Sequence, residues 1–270
     1  MEKKIEVREL KSACRAVIFD LDGTLADTLE SLAYCTNKAL ADFGMGPLDK
    51  SLFKTFVGNG SRMQITRALR KIAEQRRESE KAPESPGKGD AEQEKAACML
   101  KEVPRQDGQP DDDGFLTQPY ALEQVHGRYL EYFAKDCMYG VQAYPGVVPL
   151  LEELKKMDIK TAVFSNKPHA NTAEVVESLF GKGYFDAVRG QKDGFPKKPA
   201  PDGVYAVLEE LGVSPQSCLY VGDSWVDIET GHNAGARSVG VLWGFRSREE
   251  LEEHRADAVI SSPQELLGLL

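Results

Sequence analysis

Apolar residues along this chain follow two rhythms. Ala16-Val17-Ile18-Phe19 is an unbroken apolar run that ends at Asp20. A short run without polar alternation predicts a strand covered on both faces. From about Thr28 to Phe43 the apolar positions Leu29, Leu32, Ala33, Leu40 and Phe43 recur at helical spacing, and Gly44 and Gly46-Pro47 end the helix. Residues 51–70 also read as helical, broken by Gly58-Asn59-Gly60, and helical spacing returns at Ala121, Leu122, Val125, Tyr129, Leu130 and Phe133. From Tyr144 onward helices and strands alternate. Helices are predicted at 147–157, 172–180, 203–211 and 226–234, and strands at 161–164, 187–188, 218–221, 238–242 and 258–260. That alternation specifies right-handed βαβ units around a parallel sheet, which the strand at 16–19 must join. The predicted fold class is therefore α/β. One domain is split in sequence, roughly 1–26 plus 140–270, and a helical domain of about 27–139 is inserted into it.

Composition changes the picture in one stretch. Residues 71–118 carry 8 basic and 12 acidic residues, and Ile72, Leu100, Val103, Phe115 and Leu116 are nearly the only large apolar ones. So little apolar area does not offset the entropy of ordering, and about 78–114 is expected to be a mobile insertion. The whole chain has 270 residues and a net charge of −9, so no global field draws in nucleic acid or an acidic membrane. An acidic protein that handles an anion must build its positive site locally. Cys14, Cys35, Cys98, Cys137 and Cys218 are scattered, with no CxxC pair, which fits reduced thiols rather than a disulfide framework. The charged segment Met1–Lys11 has no apolar signal-like core, and the longest uncharged run, Cys137–Leu151, is too short to span a bilayer. The expected location is the cytoplasm, as a monomer or homodimer.

Chemistry is concentrated where predicted strands end. In open α/β sheets ligands bind at the carboxyl ends of the strands. Asp20-Leu21-Asp22-Gly23-Thr24-Leu25 follows the first strand, Ser165-Asn166-Lys167 follows 161–164, and Gly222-Asp223-Ser224 with Asp227 follows 218–221. Lys197-Lys198-Pro199 lies between the last two. Asp20 and Asp22, two apart at the end of an apolar strand, point like charges into one space. They repel each other unless a cation is present or one carboxyl is protonated.

These residues resemble the haloacid dehalogenase superfamily. Ile18-Phe19-Asp20-Leu21-Asp22-Gly23-Thr24-Leu25 is similar to its first motif, and Ser165-Asn166, Lys198-Pro199 and Gly222-Asp223-Ser224 with Asp227 are similar to the later ones, in order. The resemblance implies a Rossmann-like parallel-sheet core with an inserted α-helical cap. Thr55-Phe56-Val57-Gly58-Asn59-Gly60 and Ala143-Tyr144-Pro145-Gly146-Val147 resemble the phosphoglycolate phosphatases within the helical-cap subclass. The implied activity is hydrolysis of a small organic phosphate monoester, 2-phosphoglycolate being the preferred candidate.

In such a reaction a carboxylate nucleophile divides one hard hydrolysis into two easier steps. Asp20 is the expected nucleophile and Asp22 the expected general acid and base. Two carboxylates facing a phosphate dianion call for a hard divalent cation, and Mg²⁺ suits such a donor set. The resemblance assigns it to the Asp20 side chain, the Asp22 main-chain carbonyl and Asp223, with Asp227 orienting the metal waters or Lys198. Ser165 and Asn166 are expected to bind the phosphoryl group. Lys198 pairs with Asp20 and the same group, and amides around Asp22-Gly23 form a small anion-binding concavity. Thr24 either bonds the ligand or holds the loop.

In the cap, Gly58-Asn59-Gly60 is either a helix break or a loop whose amides approach the substrate. Arg67 is the candidate for clamping a substrate carboxylate; Arg62 and Arg70 are expected on a solvated face. Lys192 and Lys197 are expected to face solvent, and His126 and His169 to be structural. The expected partner is a small phosphorylated metabolite, with no nucleic acid and no membrane. The competing readings are a β-phosphoglucomutase-like phosphotransferase and a non-catalytic phosphometabolite-binding protein.

Overall fold

The computed structural model describes residues 14–81 and 119–270. The charged leader and most of the expected 78–114 insertion, with Cys98, lie outside the described residues.

Ala16–Phe19 forms strand β1, and its four side chains are buried. It pairs in parallel with β4 (Lys160–Pro168) on one side and β6 (Cys218–Gly222) on the other. With β5 (Ala187–Gln191), β7 (Arg237–Val241) and β8 (Ala258–Ile260) the sheet has the order β5-β4-β1-β6-β7-β8, and every pairing is parallel. The first strand is thus central, as an apolar run without alternation requires. The chain builds outward on the β4 side and then crosses back to β6. That reversal opens a crevice at the strand ends beside β1.

Helices follow the strands as expected: α5 (Val147–Lys156), α6 (His169–Phe180), α7 (Asp202–Leu211) and α8 (Trp225–Asn233). The apolar stripe Val204, Val207, Leu208 and Leu211 of α7 closes over Ile18, Ala162, Phe164 and Tyr220. Each such fully buried side chain is worth about 1.5–3 kcal/mol.

Before the sheet resumes come a two-residue strand β2 (Ala26–Asp27), α1 (Leu29–Ala41), a short 3₁₀ turn at Lys50–Leu52, α2 (Phe53–Phe56), α3 (Ser61–Lys81) and α4 (Pro119–Asp136). Strand β3 (Gln142–Ala143) then pairs antiparallel with β2. The chain divides into two compact units, Met1–Leu29 with Gly140–Leu270, and Glu30–Tyr139.

The structure departs from the sequence expectation in several places. Strand β4 runs nine residues, through Ser165, Asn166 and Lys167, which were expected to follow the strand rather than to belong to it. Those polar residues stay extended and buried because their polar atoms find partners inside the protein. Helix α3 continues to Lys81, into the expected insertion, because its last turns hold good helix formers and a Lys71–Glu74 pair three residues apart. The β2–β3 pair, helix α9 (Arg248–Glu253) and a closing 3₁₀ turn at Pro263–Leu269 had no sequence counterpart. Among the described residues no helix is long and apolar enough to cross a membrane.

Candidate active site

The loop after β1 is short and internally bonded. The Asp20 amide donates to the Val221 carbonyl at 2.9 Å, which extends the β1–β6 ladder to the first carboxylate. The Leu21 carbonyl then accepts from the Leu25 and Ala26 amides, and the Gly23 amide donates to the Ala26 carbonyl at 3.0 Å. Gly23 has φ +84°, and a Cβ there would run into the Asp223 carboxylate. Glycine is therefore required both for the turn and for the close approach. The Gly23 amide, expected to face an anion, is engaged in closing its own loop. Thr24 is buried, and its hydroxyl has no hydrogen-bond partner among the described residues.

Lys198 is the positive centre. Its side chain is 2% exposed, and Nζ lies 2.8 Å from Asp20 Oδ1 and 2.7 Å from Asp227 Oδ1. The Phe164 and Tyr220 rings lie beside it, with centroids 5.9 and 5.8 Å from Nζ. Burial alone would lower the lysine pKa, but Asp20 and Asp227 outweigh it and hold the ammonium well above its ordinary value. Asp227 has a second task. Its Oδ2 accepts from the Ser224 amide and hydroxyl at 3.1 and 2.7 Å, completing a capping box at the start of α8. With Oδ1 on the lysine and Oδ2 on the helix cap, Asp227 is an orienting group.

Asn166 also orients. Its Oδ1 accepts from the Lys198 amide at 2.9 Å and its Nδ2 donates to the Lys198 carbonyl at 3.3 Å. This side chain ties the end of β4 to the lysine loop, where the sequence expectation gave Asn166 backbone or amide donors to the phosphoryl group. Ser165 is buried beside it, its Oγ accepting from the Lys167 amide at 3.3 Å.

Asp223 sits on the other flank. The Phe245 amide donates to its Oδ2 at 2.7 Å, and Trp243 Nε1 donates to the Thr24 carbonyl at 2.9 Å. A Cβ on Gly244 would meet both Asp223 and the Gly23 carbonyl. The loop after β7 therefore braces two motifs at once. Sequence reasoning did not single it out, although it follows a strand end like the others.

A second lysine was also passed over. Lys167 Nζ lies 2.6 Å from Asp22 Oδ1, with side-chain exposures of 2% and 15%. Thr28 Oγ1 donates to the same oxygen at 2.7 Å. Its sequence signal was its place directly after Ser165-Asn166.

The carboxylates carry the electrostatic mark of a cation site. Asp20, Asp223 and Asp227 are all buried and offer oxygens within 4.8 Å of one another. Burial pushes the Asp20 carboxyl up to about 7; Lys198 opposes this, while Asp227 and Asp22 add to it. Asp223 is likewise held well above the ordinary carboxylate range, by burial first and then by Asp227 and Asp20. Desolvated like charges of this kind are relieved by a bound divalent cation. The donors are all oxygen, which suits a hard ion.

In the helical unit, Arg67 spends its guanidinium on its own loop. One terminal nitrogen donates to the Thr55 and Phe56 carbonyls at 3.1 and 2.9 Å, and the other to Asn59 Oδ1 at 2.8 Å. Expected to clamp a substrate, it braces the turn between α2 and α3. Arg62 and Arg70 are exposed, and Arg62 pairs with Glu123. His126 bonds Ser61, while His169 accepts from the Gly190 amide in the α/β unit. Lys192 and Lys197 are exposed.

The family model described as haloacid dehalogenase-like hydrolase matches residues 17–241. The chain belongs to this family. A phosphoglycolate phosphatase of Escherichia coli (strain K12) is 30% identical over 256 residues, covering 95% of this chain and 92% of the relative. Phosphoglycolate phosphatase 1 of Pseudomonas aeruginosa is 28% identical and covers 94% of this chain and 78% of its own. A crystal structure from Lactobacillus delbrueckii subsp. bulgaricus superposes with a TM-score of 0.76 at 30% identity, covering 94% of this chain and 97% of that one. This member of the haloacid dehalogenase-like hydrolases is a phosphoric monoester hydrolase that resembles the phosphoglycolate phosphatases. The buried sheet-edge carboxylates are where such chemistry is expected.

Proposed function

We propose that this hydrolase converts 2-phosphoglycolate to glycolate and phosphate, with Mg²⁺, through an aspartyl-phosphate on Asp20. The reading rests on the buried Asp20–Lys198–Asp227 triangle beside Asp223. The substrate comes from the relatives' names.

Asp20 attacks phosphorus as the P–O bond to glycolate breaks. The leaving alkoxide takes a proton from Asp22. Water then attacks the acyl phosphate, Asp22 accepts its proton, and Asp20 is released as a carboxylate. Lys198 holds Asp20 as the attacking carboxylate and balances charge on the phosphoryl oxygens. Ser165 supplies a hydroxyl to those oxygens. Asp223, Asp20 and the Asp22 main-chain carbonyl would hold the cation, which supplies charge neutralisation at the phosphoryl group. Glu30–Tyr139 acts as the substrate-selecting cap. The enzyme works in the cytoplasm, where reduced thiols such as those of Cys14 and Cys218 persist.

The test is phosphate release from a panel of small phosphomonoesters with Mg²⁺, ranked by kcat/KM. 2-Phosphoglycolate is expected to rank first, and chelation with EDTA to stop turnover. Asp20→Asn is expected to lower kcat by about 10³-fold or more while leaving the fold intact. Turnover that survives in Asp20→Asn, or in EDTA, would overturn the mechanism; another substrate ranked first would overturn the substrate.

A further inference from the structure

The mechanism above gives Lys167 no part, yet its side chain is 2% exposed and sits among the site residues. Burying an ammonium is costly, and lysine is among the residues least often found fully buried. Here the cost is offset by Asp22, whose Oδ1 lies 2.6 Å from Nζ. Lys167 is also fixed from behind: it lies in the extended end of β4, and its amide donates to Ser165 Oγ.

Asp22 is the group that must reach the leaving oxygen. In 2-phosphoglycolate the carbon bearing that oxygen also bears the carboxylate. Whatever hydrogen-bonds the leaving oxygen therefore lies beside the substrate's carboxylate. Once Asp22 has given its proton to the leaving oxygen, the two carboxylates repel each other unless a cation sits between them. Lys167 already lies on Asp22, on the oxygen that Thr28 also holds at 2.7 Å. An ammonium carries three donors, so one group can hold Asp22 and a substrate carboxylate together. Thr28 keeps Asp22 Oδ1 bonded while the lysine shares its charge.

We propose that Lys167 recognises the substrate's carboxylate and so selects phosphate esters of 2-hydroxy acids. The inference rests on the substrate reading above and deepens it. It places the discriminating charge at the end of β4 in the α/β unit, next to the acid it serves.

The experiment compares kcat/KM for 2-phosphoglycolate and for ethyl phosphate, which has the same kind of alkoxide leaving group and no carboxylate. Wild-type protein, Lys167→Met and Lys167→Gln are assayed as full chains with Mg²⁺. The ratio of the two values is unaffected by the fraction of protein folded. Loss of a hydrogen-bonded charge contact predicts that this ratio falls by about 10-fold or more in both variants, mainly through KM for 2-phosphoglycolate. Equal losses on the two substrates would mean that Lys167 only orients Asp22 or supports the fold, and would overturn the inference alone. So would an unchanged ratio. A wild-type enzyme that does not favour 2-phosphoglycolate over ethyl phosphate would overturn the substrate reading, and this inference with it.

Discussion

The ion pairs of the helical unit differ in kind from those at the strand ends of the α/β unit. In the helical unit, Lys38–Asp136, Lys50–Glu30, Lys71–Glu74 and Arg128–Asp42 have side-chain exposures between 31% and 56%. At the sheet edge, Lys198 meets Asp20 and Asp227, and Lys167 meets Asp22, with every side chain 15% exposed or less. Exposed pairs gain little, since water screens them and two long side chains must be ordered. Buried pairs cost desolvation, which their mutual attraction offsets only with good geometry. Two lysines and four aspartates kept at one buried edge are therefore weak evidence of a purely stabilising role.

Lys198→Met should break the sharper side of this contrast. It leaves Asp20 and Asp227 buried without their cation, so unfolding free energy in denaturant is expected to drop by about 3–5 kcal/mol. Loss of activity alone, at unchanged stability, would count against that accounting.

A smaller effect concerns pH. The folded Asp20 carboxyl titrates near about 7, against an ordinary 3.8, and Asp223 is displaced the same way. The native state therefore holds protons that the unfolded chain releases. The Asp20 contribution to stability is full at low pH and is lost as pH rises from about 4 to about 7, and that of Asp223 is lost in the same direction. Each group contributes a slope of at most about 1.4 kcal/mol per pH unit. Without divalent cation, the melting temperature of wild type should fall more steeply across that window than that of Asp20→Asn. Added Mg²⁺ should flatten the difference, and parallel curves would refute the assignment.

The smallest effect is expected at the surface. Lys50→Ala removes the exposed pair with Glu30, and its melting temperature should stay within about 2 °C of wild type. A larger drop would erase the distinction between the two kinds of pair.

What could be read from residues alone followed burial. Strand β1 was legible because four apolar residues in a row have one stable setting in this fold class. Asp20 and Asp22 were legible because two carboxylates at the end of such a strand need a reason. The predicted strand stopped at Phe164, since its apolar run ends there. Only the internal partners of Ser165, Asn166 and Lys167 reveal that β4 continues through them. Lys167 was named at the strand end but given no role, since a fully buried lysine is rare. Arg67 looked like a substrate clamp from its position, but three neighbouring acceptors take three of its five donors. The brace at Trp243–Phe245 depends on a contact across more than two hundred residues of sequence, which no local pattern encodes.

The two-residue ladder between β2 and β3 fastens the point where the chain leaves the α/β unit to the point where it returns. Closing a longer loop costs little, about 0.6 kcal/mol per doubling of length. A staple at its base means that the inserted unit, Glu30–Tyr139, can be lengthened, shortened or exchanged without disturbing the buried carboxylates at the strand ends. On the reading proposed above, contacts supplied by the inserted unit can then drift while the phosphoryl chemistry, with Lys167 beside it, stays in the α/β unit, so this short pairing marks off the part of the chain that is free to vary.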